Sequence, residues 1–325
     1  LDIFPKQFFN AAIGDLYKQA YEESDLLFES CTMGSICPAL TFNEAKIIEG
    51  INKELGTEIE SIEEAYDEVD KIRYNRFNEL GDEKFTDGKL IHLLNSFDNR
   101  TDGEISQMVT DNADIPTIFE YILGIMWYKA SGRKGKILDY LKLSLDANLL
   151  PITHAAGGEA DIVYEYKQTP DYPEHSLLLE ATLADSTNQR RMEMEPVSRH
   201  LGNHRLRTGN DYSYCVFATS YLHVNVIGDF RMRKMVMYCD PQSPDKYVSD
   251  MKIMPLSTKD LRCIIENKIS YSKLYKHFCK AHEAAEMHPQ KWYDNYVNIE
   301  NSNLYYKYQD ISTGIAADES GTLYH

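Results

Sequence analysis

Apolar residues recur every three or four positions through the first third of the chain, which is the spacing of amphipathic helices. This pattern predicts four helices, over Pro5–Glu29, Asn43–Leu55, Ile59–Glu79 and Asp87–Phe97. Thr101 followed by Glu104 has the spacing of a capping box, which predicts one more short helix. We therefore expect an all-α N-terminal region.

After about Asp114 the pattern changes to short apolar runs that alternate with polar helical stretches. Pro116 fits the first turn of a helix that continues over residues 118–130. Runs rich in β-branched, aromatic and aliphatic side chains predict strands at Asp161–Tyr166, Ser176–Leu183, Tyr214–Thr219 and Met235–Cys239. The stretches between and after them predict helices at Thr187–Arg207, Thr258–Asn267 and Ser270–Met287. Strands interleaved with helices indicate an α/β layer fold.

A length of 325 residues favours two domains. We expect their boundary near residues 111–116, with a helical accessory domain over 1–114, an α/β domain over 115–300 and a peripheral tail over 301–325. Residues 1–116 contain 10 Lys and Arg against 25 Asp and Glu, so most of the formal charge of −17 lies in the helical part. This charge excludes a basic protein that coats DNA along its whole surface.

Several other classes of protein are also disfavoured. No apolar run reaches the roughly 20 residues of a membrane span, and no signal peptide is visible, so we expect a cytoplasmic protein. The six cysteines form no CxxC pair, which favours free thiols over a structural zinc site. Phosphate-binding glycine motifs are absent, and the pair His200 and His204 lacks an HExxH context, so a nucleotide enzyme and a zinc hydrolase are disfavoured.

Two carboxylates in apolar surroundings are the strongest candidates for chemistry. Glu180 interrupts the run from Leu177 to Leu183, and Asp161 opens the preceding strand. A buried carboxylate is costly unless it is paired or binds a metal, so each residue is either a site residue or part of a strand-end salt bridge. If the two strands form a hairpin that turns through residues 170–173, both carboxylates lie at one end, where two oxygen ligands suit Mg²⁺.

Glu193 adds a third acid from the next helix. It shares a helical face with Gln189, Val197 and His200, and that face could point toward the metal. Pro196 predicts a break or kink that could turn Glu193 inward. Taken alone, Glu193 is more typical of an exposed surface acid, and only the constellation favours a site role.

These residues carry a resemblance to a known family. The ordered block Thr153-His154-Ala155-Ala156-Gly157, Asp161, Glu180-Ala181-Thr182 and Gln189-x-x-x-Glu193-x-Glu195-Pro196-Val197-x-Arg199-His200 resembles the AlwI family of type IIS restriction endonucleases, which includes strand-specific nicking enzymes. The resemblance covers about residues 115–255, and residues 1–114 resemble the family's helical linker in texture only. It implies a PD-(D/E)xK nuclease fold, a mixed sheet flanked by helices.

The resemblance also implies the roles of individual residues. The positions that match the catalytic acids are Asp161, Glu180, Glu193 and Glu120, and those expected to bind Mg²⁺ are Asp161, Glu180 and Glu120. Thr182 stands where the wider superfamily has lysine, so the group that deprotonates the attacking water stays open. Glu193 could serve as the base, or a metal-bound hydroxide could make a separate base unnecessary.

Double-stranded DNA is the partner that this reading implies, and it requires positive charge near the acids. Candidates for DNA contact are Arg190, Arg191, Arg199, His200 and His154. Arg205, Arg207 and His204 extend this cluster, and Arg231, Arg233 and Lys234 form a second one, although such clusters often serve only as solvated faces.

The alternative function is an inactive or dependent subunit of a restriction system. One active site cuts one strand, so a double-strand break would need a second copy or a partner subunit. We also expect sequence recognition to reside in an upstream domain that this chain lacks.

Overall fold

The computed structural model describes residues 44–154, 158–184, 186–302 and 304. The chain divides into two compact units, residues 1–76 and residues 77–325. The predicted helix over Pro5–Glu29 lies outside the described residues. The sequence pattern instead predicts a domain boundary near residues 111–116, and that division into domains stays a prediction.

The described part of the first unit is helical, as predicted. It contains α1 (Glu44–Leu55) and the first part of α2 (Ile62–Glu83). The side chain of Asn52 closes the connection between the helices, since it donates to the carbonyl of Ile59 at 2.9 Å and accepts from its N–H at 2.8 Å. Helix α2 begins three residues later than predicted because these bonds hold Ile59 in the connecting turn.

Three further helices precede the sheet in the second unit, α3 (Asp87–Asn99), α4 (Asp102–Met108) and α5 (Ile115–Ala130). The predicted helix after Thr101 is present, but the capping box is wrong. The Thr101 hydroxyl donates to the carboxylate of Glu104 at 3.1 Å and makes no cap to a backbone N–H. The Asp114 side chain caps α5 by accepting from Thr117 N–H at 2.9 Å.

A mixed four-stranded sheet forms the centre of this unit. Its strands follow the order β3 (Ile162–Tyr166), β4 (His175–Thr182), β5 (Tyr214–Thr219) and β8 (Ile253–Ser257). Strands β3 and β4 form the predicted antiparallel hairpin, and the other two pairs are parallel. Two small antiparallel pairs lie outside it, β1 (Ser144–Leu145) with β2 (Pro151–Thr153) and β6 (Tyr238–Asp240) with β7 (Ser243–Val248).

Helices flank this sheet, which confirms the predicted α/β class and its mixed, helix-covered sheet. Helix α5 packs against β4, and α7 (Ser186–Thr208) buries Val197 and Leu201 against Leu178 of that strand. The remaining short and medium helices are α6 (Ile137–Tyr140), α8 (Val224–Met232), α9 (Thr258–Glu266), α10 (Tyr271–Glu283) and α11 (Pro289–Trp292), and α11 is followed by a π-helical turn over Tyr293–Val297. Helix α10 buries Tyr271, Leu274, Tyr275, Phe278 and Ala281.

Two elements differ from their predicted bounds or shape. One is a helix that contains a proline, and the other is a strand whose predicted start is an exposed apolar run. Helix α7 continues through Pro196, so the predicted break is wrong and the helix simply lacks one N–H donor there. Strand β6 begins only at Tyr238, and Met235 and Met237 before it are exposed. Strand β8 went unpredicted, because Pro255 argues against a strand unless that strand lies at an edge, where β8 does lie.

In the described residues, Cys215, Cys239, Cys263 and Cys279 are free thiols. A search of the same residues finds no helix with the length and apolar character that a membrane crossing needs.

Candidate active site

Glu180 lies near the carboxyl end of β4 with only 7% of its surface exposed. It is on the strand face that meets α7, the same face as Leu178. The Nδ1 atom of His200, on α7, is 2.7 Å from Glu180 Oε1 and donates to it. Burial raises the pKa of Glu180, and the nearby charge of Glu193 raises it further. This carboxylate is therefore held in place by the protein but is costly to ionise there.

Asp161 stands beside Glu180 because of the hairpin register. Ile162 pairs with Leu179, so the next pair toward the open end brings Asp161 opposite Glu180. The Asp161 carboxylate accepts a hydrogen bond from the N–H of Ala181 at 2.8 Å. Burial raises the pKa of Asp161 well above its usual range, and the charge of Glu180 adds to this effect. The predicted meeting of the two carboxylates is thus present.

Glu193 joins the cluster from α7. Its Oε1 accepts a hydrogen bond from the hydroxyl of Thr182, the residue at the lysine position of the wider superfamily, at 2.7 Å. Burial raises the pKa of Glu193, although the bond from Thr182 opposes that rise. Glu193 is therefore a half-buried acid that faces the sheet, and it does so on a continuous helix.

Gln189 fixes the orientation of α7, so that the helix face carrying Glu193 points at the sheet. Its side chain is fully buried, and its amide nitrogen donates to the Ala184 carbonyl at 3.2 Å and to the Thr219 hydroxyl at 3.1 Å. Its amide oxygen accepts from the N–H of His223 at 2.9 Å. These bonds tie the first turns of α7 to the ends of β4 and β5, so Glu193, one turn later, is directed at Thr182.

Glu120 approaches from α5, on the opposite side of the sheet. It is buried, and its Oε2 atom has no hydrogen-bond partner among the described residues. Burial raises the pKa of Glu120 to about 9, with further contributions from the charges of Asp161, Asp114 and Glu180. A buried carboxylate oxygen without a partner costs stability, so this atom is well suited to receive a ligand.

The cluster has the donor set of a hard divalent cation. Carboxylate oxygens are the ligands that Mg²⁺ prefers, and one unpartnered buried oxygen is available at Glu120. Within the part of the chain that the structure describes, no group of three or more His, Cys, Asp or Glu residues has its atoms converging on one point as metal ligands would. Glu180, Asp161 and Glu193 each direct one carboxylate oxygen to a hydrogen-bond partner in the protein.

The residues predicted to contact DNA fall into two groups. Arg190 and Arg191 are exposed on the first turns of α7, within one turn of Glu193. Arg199 is half-buried and pairs with Glu195 at 3.0 Å. His154 is exposed after β2, and the loop residues 155–157 that follow it lie outside the described residues. His200 faces inward, bonded to Glu180, with its side chain only 10% exposed.

Most of the other predicted basic residues stabilise the fold. Arg205 is buried and pairs with Asp211, while Arg207 pairs with Glu159. Arg231 is buried, donates to the backbone carbonyl of His282 in the last turn of α10 and to two carbonyls after it, and stacks on Trp292 at 5.0 Å. Lys234 donates to the carbonyl of His282 at 2.7 Å. The second basic cluster is therefore engaged within the protein.

Comparison with protein families decides the identity of this fold. The family model of the AlwI restriction endonuclease matches residues 3–264. The chain belongs to the AlwI restriction endonuclease family. No curated protein matches this member of the AlwI family.

Among solved structures, the small subunit (R.BspD6I2) of the heterodimeric restriction endonuclease R.BspD6I is similar, with 18% sequence identity and a TM-score of 0.44. The match covers 62% of this chain and 94% of that one. Membership of the AlwI family makes the chain a restriction nuclease with DNA as its substrate class.

Sequence reasoning missed three partners of the cluster. Asp114 caps α5 and raises the pKa of Glu120, and a signal for it was present in the Asp-x-Pro pattern at the helix start. The Thr182 hydroxyl fixes Glu193, but only the three-dimensional register reveals this contact. His200 was placed among DNA contacts, and no sequence pattern distinguishes that role from its bond to Glu180.

Proposed function

We propose that this chain is a Mg²⁺-dependent DNA endonuclease, the cleavage portion of a type IIS restriction or nicking enzyme with a PD-(D/E)xK-like site. One observation carries the proposal: four carboxylates are gathered at one end of the sheet, each with a raised pKa, and one of their oxygens is unpartnered. A fold keeps such an unfavourable cluster where function requires it.

Asp161, Glu180 and Glu120 are proposed to hold the ion, since they supply hard oxygen atoms from two strands and a helix. When bound, Mg²⁺ supplies positive charge at the phosphate and lowers the pKa of water. The bond from His200 orients the Glu180 carboxylate. A partner that fixes a ligand in this way tunes both its position and its basicity.

Glu193 is proposed to accept the proton of the attacking water or to orient it. The usual lysine position is taken by Thr182, whose hydroxyl holds Glu193 at the place where a lysine side chain would begin. A metal-bound hydroxide that needs no separate base is the alternative. A raised pKa suits a base because the group then binds a proton more readily near neutral pH.

Duplex DNA is the proposed partner of the cluster, and Arg190 and Arg191 are the proposed phosphate contacts beside it. Both are exposed and within one turn of Glu193 on α7. Arg199 and His154 are proposed as further DNA contacts near the site. His200 is proposed to contact DNA there in addition to orienting Glu180. Since one cluster hydrolyses one strand, a double-strand break requires a second copy or a partner subunit.

The test is conversion of supercoiled plasmid by the full chain at low salt, with Mg²⁺ or with EDTA. The proposal predicts open-circle or linear product only with Mg²⁺, and none from Glu180→Gln. The matched control is Glu165→Gln, because Glu165 is an exposed acid on β3 next to the same hairpin. It should cut at the rate of the unmodified chain.

Two outcomes would contradict the proposal. Product that forms equally in EDTA would exclude the metal role. Product from Glu180→Gln at the normal rate would exclude the cluster as the site. Absence of product from the unmodified chain would instead support the alternative, a subunit that depends on a separate recognition segment or partner.

A further inference from the structure

The segment from Lys129 to Lys142 has five basic residues and one acid, Asp139, in a chain whose net charge is −17. It connects α5 to β1 and had no role in the site described above. Its charge is unusual enough for this protein to require a physical account.

This segment runs along the outer edge of β3 and ends at the acid cluster. Leu141 forms a bridge with Ile162, and the N–H of Lys142 donates to the carbonyl of Asp161 at 3.1 Å. At its other end, the hydroxyl of Tyr164 donates to the carbonyl of Lys134. Lys142 therefore stands next to a proposed catalytic acid, and Lys134 stands farther along the same edge.

Two of the five cations form ion pairs with acids before α5. Lys129 pairs with Asp87 at 3.1 Å, and Arg133 pairs with Asp82. Lys134, Lys136 and Lys142 are exposed, and we call these three residues the edge lysines. The exposed acids on this edge are Asp139 and Glu165, so the edge keeps a positive balance.

The backbone of the segment is built to present these side chains. Gly132, Arg133 and Gly135 all have positive φ, which makes a tight turn around Lys134. The ring of Tyr140 packs on that of Tyr164 with centroids 5.0 Å apart. A segment anchored by two hydrogen bonds, an ion pair and a ring contact holds its exposed lysines in a defined row.

The position of this row favours a polyanion that crosses the acid cluster. Arg190 and Arg191 are on α7, beyond β4, whereas Lys142 is at the β3 edge, so positive side chains stand on both sides of the four acids. Four carboxylates repel a phosphate backbone, and charge on both flanks offsets that repulsion. A duplex has a phosphate about every 3.4 Å of axis on each strand, so lysines spread along this edge can meet several phosphates of one duplex.

We propose that the edge lysines bind backbone phosphates of duplex DNA and hold the duplex across the acid cluster from the side opposite to Arg190 and Arg191. This inference rests on the proposed nuclease function and adds to it a second contact surface. The contact is to the backbone alone, so it gives affinity and register without sequence preference.

The experiment measures binding of a fluorescent 30-base-pair duplex of arbitrary sequence in EDTA over a series of salt concentrations. Lys134→Gln, Lys136→Gln and Lys142→Gln are combined in one variant. The matched control combines Lys246→Gln, Lys280→Gln and Lys291→Gln, three exposed lysines outside the segment. Both variants lose the same charge, so any difference between them reports position.

The edge variant should bind about tenfold more weakly, and the slope of log affinity against log salt should fall by about 2 to 3, roughly 0.9 for each lost phosphate contact. The control should change both quantities little. Equal effects in both variants would mean a general charge effect and would overturn the inference.

Plasmid conversion with Mg²⁺, run in parallel, separates this inference from the proposed function. If the unmodified chain cuts and the edge variant binds and cuts like it, the edge contact is wrong and the nuclease function stands. If the unmodified chain neither binds nor cuts DNA, both proposals fail.

Discussion

The two ends of strand β4 both bury ionisable groups, but they differ in whether those groups have hydrogen-bond partners. At its start, the Nδ1 atom of His175 donates to the carbonyl of Pro173 at 2.6 Å, and its Nε2 accepts from the hydroxyl of Tyr271. The ring stacks against Tyr166, which itself stacks on Tyr271 with centroids 3.7 Å apart. Every polar atom of this histidine has a partner.

At the other end of the strand, some buried polar atoms lack a hydrogen-bond partner among the described residues. The Oε2 atom of Glu120 and the Nε2 atom of His200 are buried with no partner among the described residues. Burial raises the pKa of all four acids there, and neighbouring acids raise it further at Glu120, Asp161 and Glu180, whereas burial lowers the pKa of His175 to about 4 and leaves it neutral. Burial of a titratable group therefore does not by itself mark a site. Unsatisfied partners and like charges gathered together distinguish the functional end from the structural one.

The largest expected difference between the two ends is in activity. Asp161→Asn should lower the DNA cleavage rate by about a thousandfold, because losing a proposed ion ligand removes several kcal/mol of charge stabilisation. Its circular dichroism spectrum should stay unchanged. Single-turnover plasmid cleavage measures the rate, and a loss smaller than tenfold would remove Asp161 from the proposed ligands.

His175→Ala should lower stability but not the cleavage rate, the reverse of what is expected for Asp161→Asn. It deletes a stacked ring and leaves the Tyr271 hydroxyl buried without its acceptor, so the free energy of unfolding should fall by about 2–4 kcal/mol. Urea titration measures this loss. The cleavage rate per folded molecule should remain normal, and a specific loss of cleavage would break the distinction between the two ends.

Lowering the pH should remove the contribution of buried, neutral His175 to the free energy of unfolding over a defined pH range. The pKa of His175 is about 4 in the folded chain against 6.5 ordinarily, so the unfolded chain takes up a proton first as pH falls. This contribution to stability is complete above pH 6.5 and is lost toward pH 4, with about 2 kcal/mol gone at pH 5. Urea titrations of the unmodified chain and His175→Phe at pH 7 and pH 5 isolate it, and equal pH dependence in both would contradict this assignment.

The smallest effect concerns the cost of the acid cluster. The pKa of Glu120 rises from 4.5 to about 9 on folding, so its ionisation opposes folding increasingly between those pH values. Glu120→Gln should therefore raise the free energy of unfolding at pH 7 by about 1 kcal/mol or more in EDTA. Mg²⁺ should raise the melting temperature of the unmodified chain more than that of the variant. Equal metal effects on both would argue against Glu120 as a ligand.

The sequence revealed much of the functional end because its acids interrupt apolar runs. Glu180 within Leu177–Leu183 and Asp161 at a strand start are visible departures from the expected pattern. The turn residues between 170 and 173 predicted a hairpin that brings the two carboxylates to one end, and β3 and β4 pair in this way. The helical face shared with Gln189 and His200 also pointed to Glu193, whereas Glu120 came from the resemblance alone.

The rest depended on tertiary contacts that leave no local pattern. The bonds of Gln189 to Thr219 and His223 aim α7 at the cluster, and they join residues 30 and 34 positions apart. This anchoring also explains why Pro196 causes no break, since packing of Val197 and Leu201 maintains the helix around it. No local pattern marks His175, which lies just before the predicted strand Ser176–Leu183, because its stack depends on Tyr271, on a helix almost 100 residues later.

The most direct test compares Mg²⁺-dependent nicking of supercoiled plasmid by Glu180→Gln and His175→Phe, the two ends of one strand, at equal folded concentration. The account predicts open-circle product from His175→Phe at the rate of the unmodified chain and none from Glu180→Gln. Normal nicking by Glu180→Gln, or loss of nicking in both variants alike, would contradict the assignment of the acid cluster as the active site.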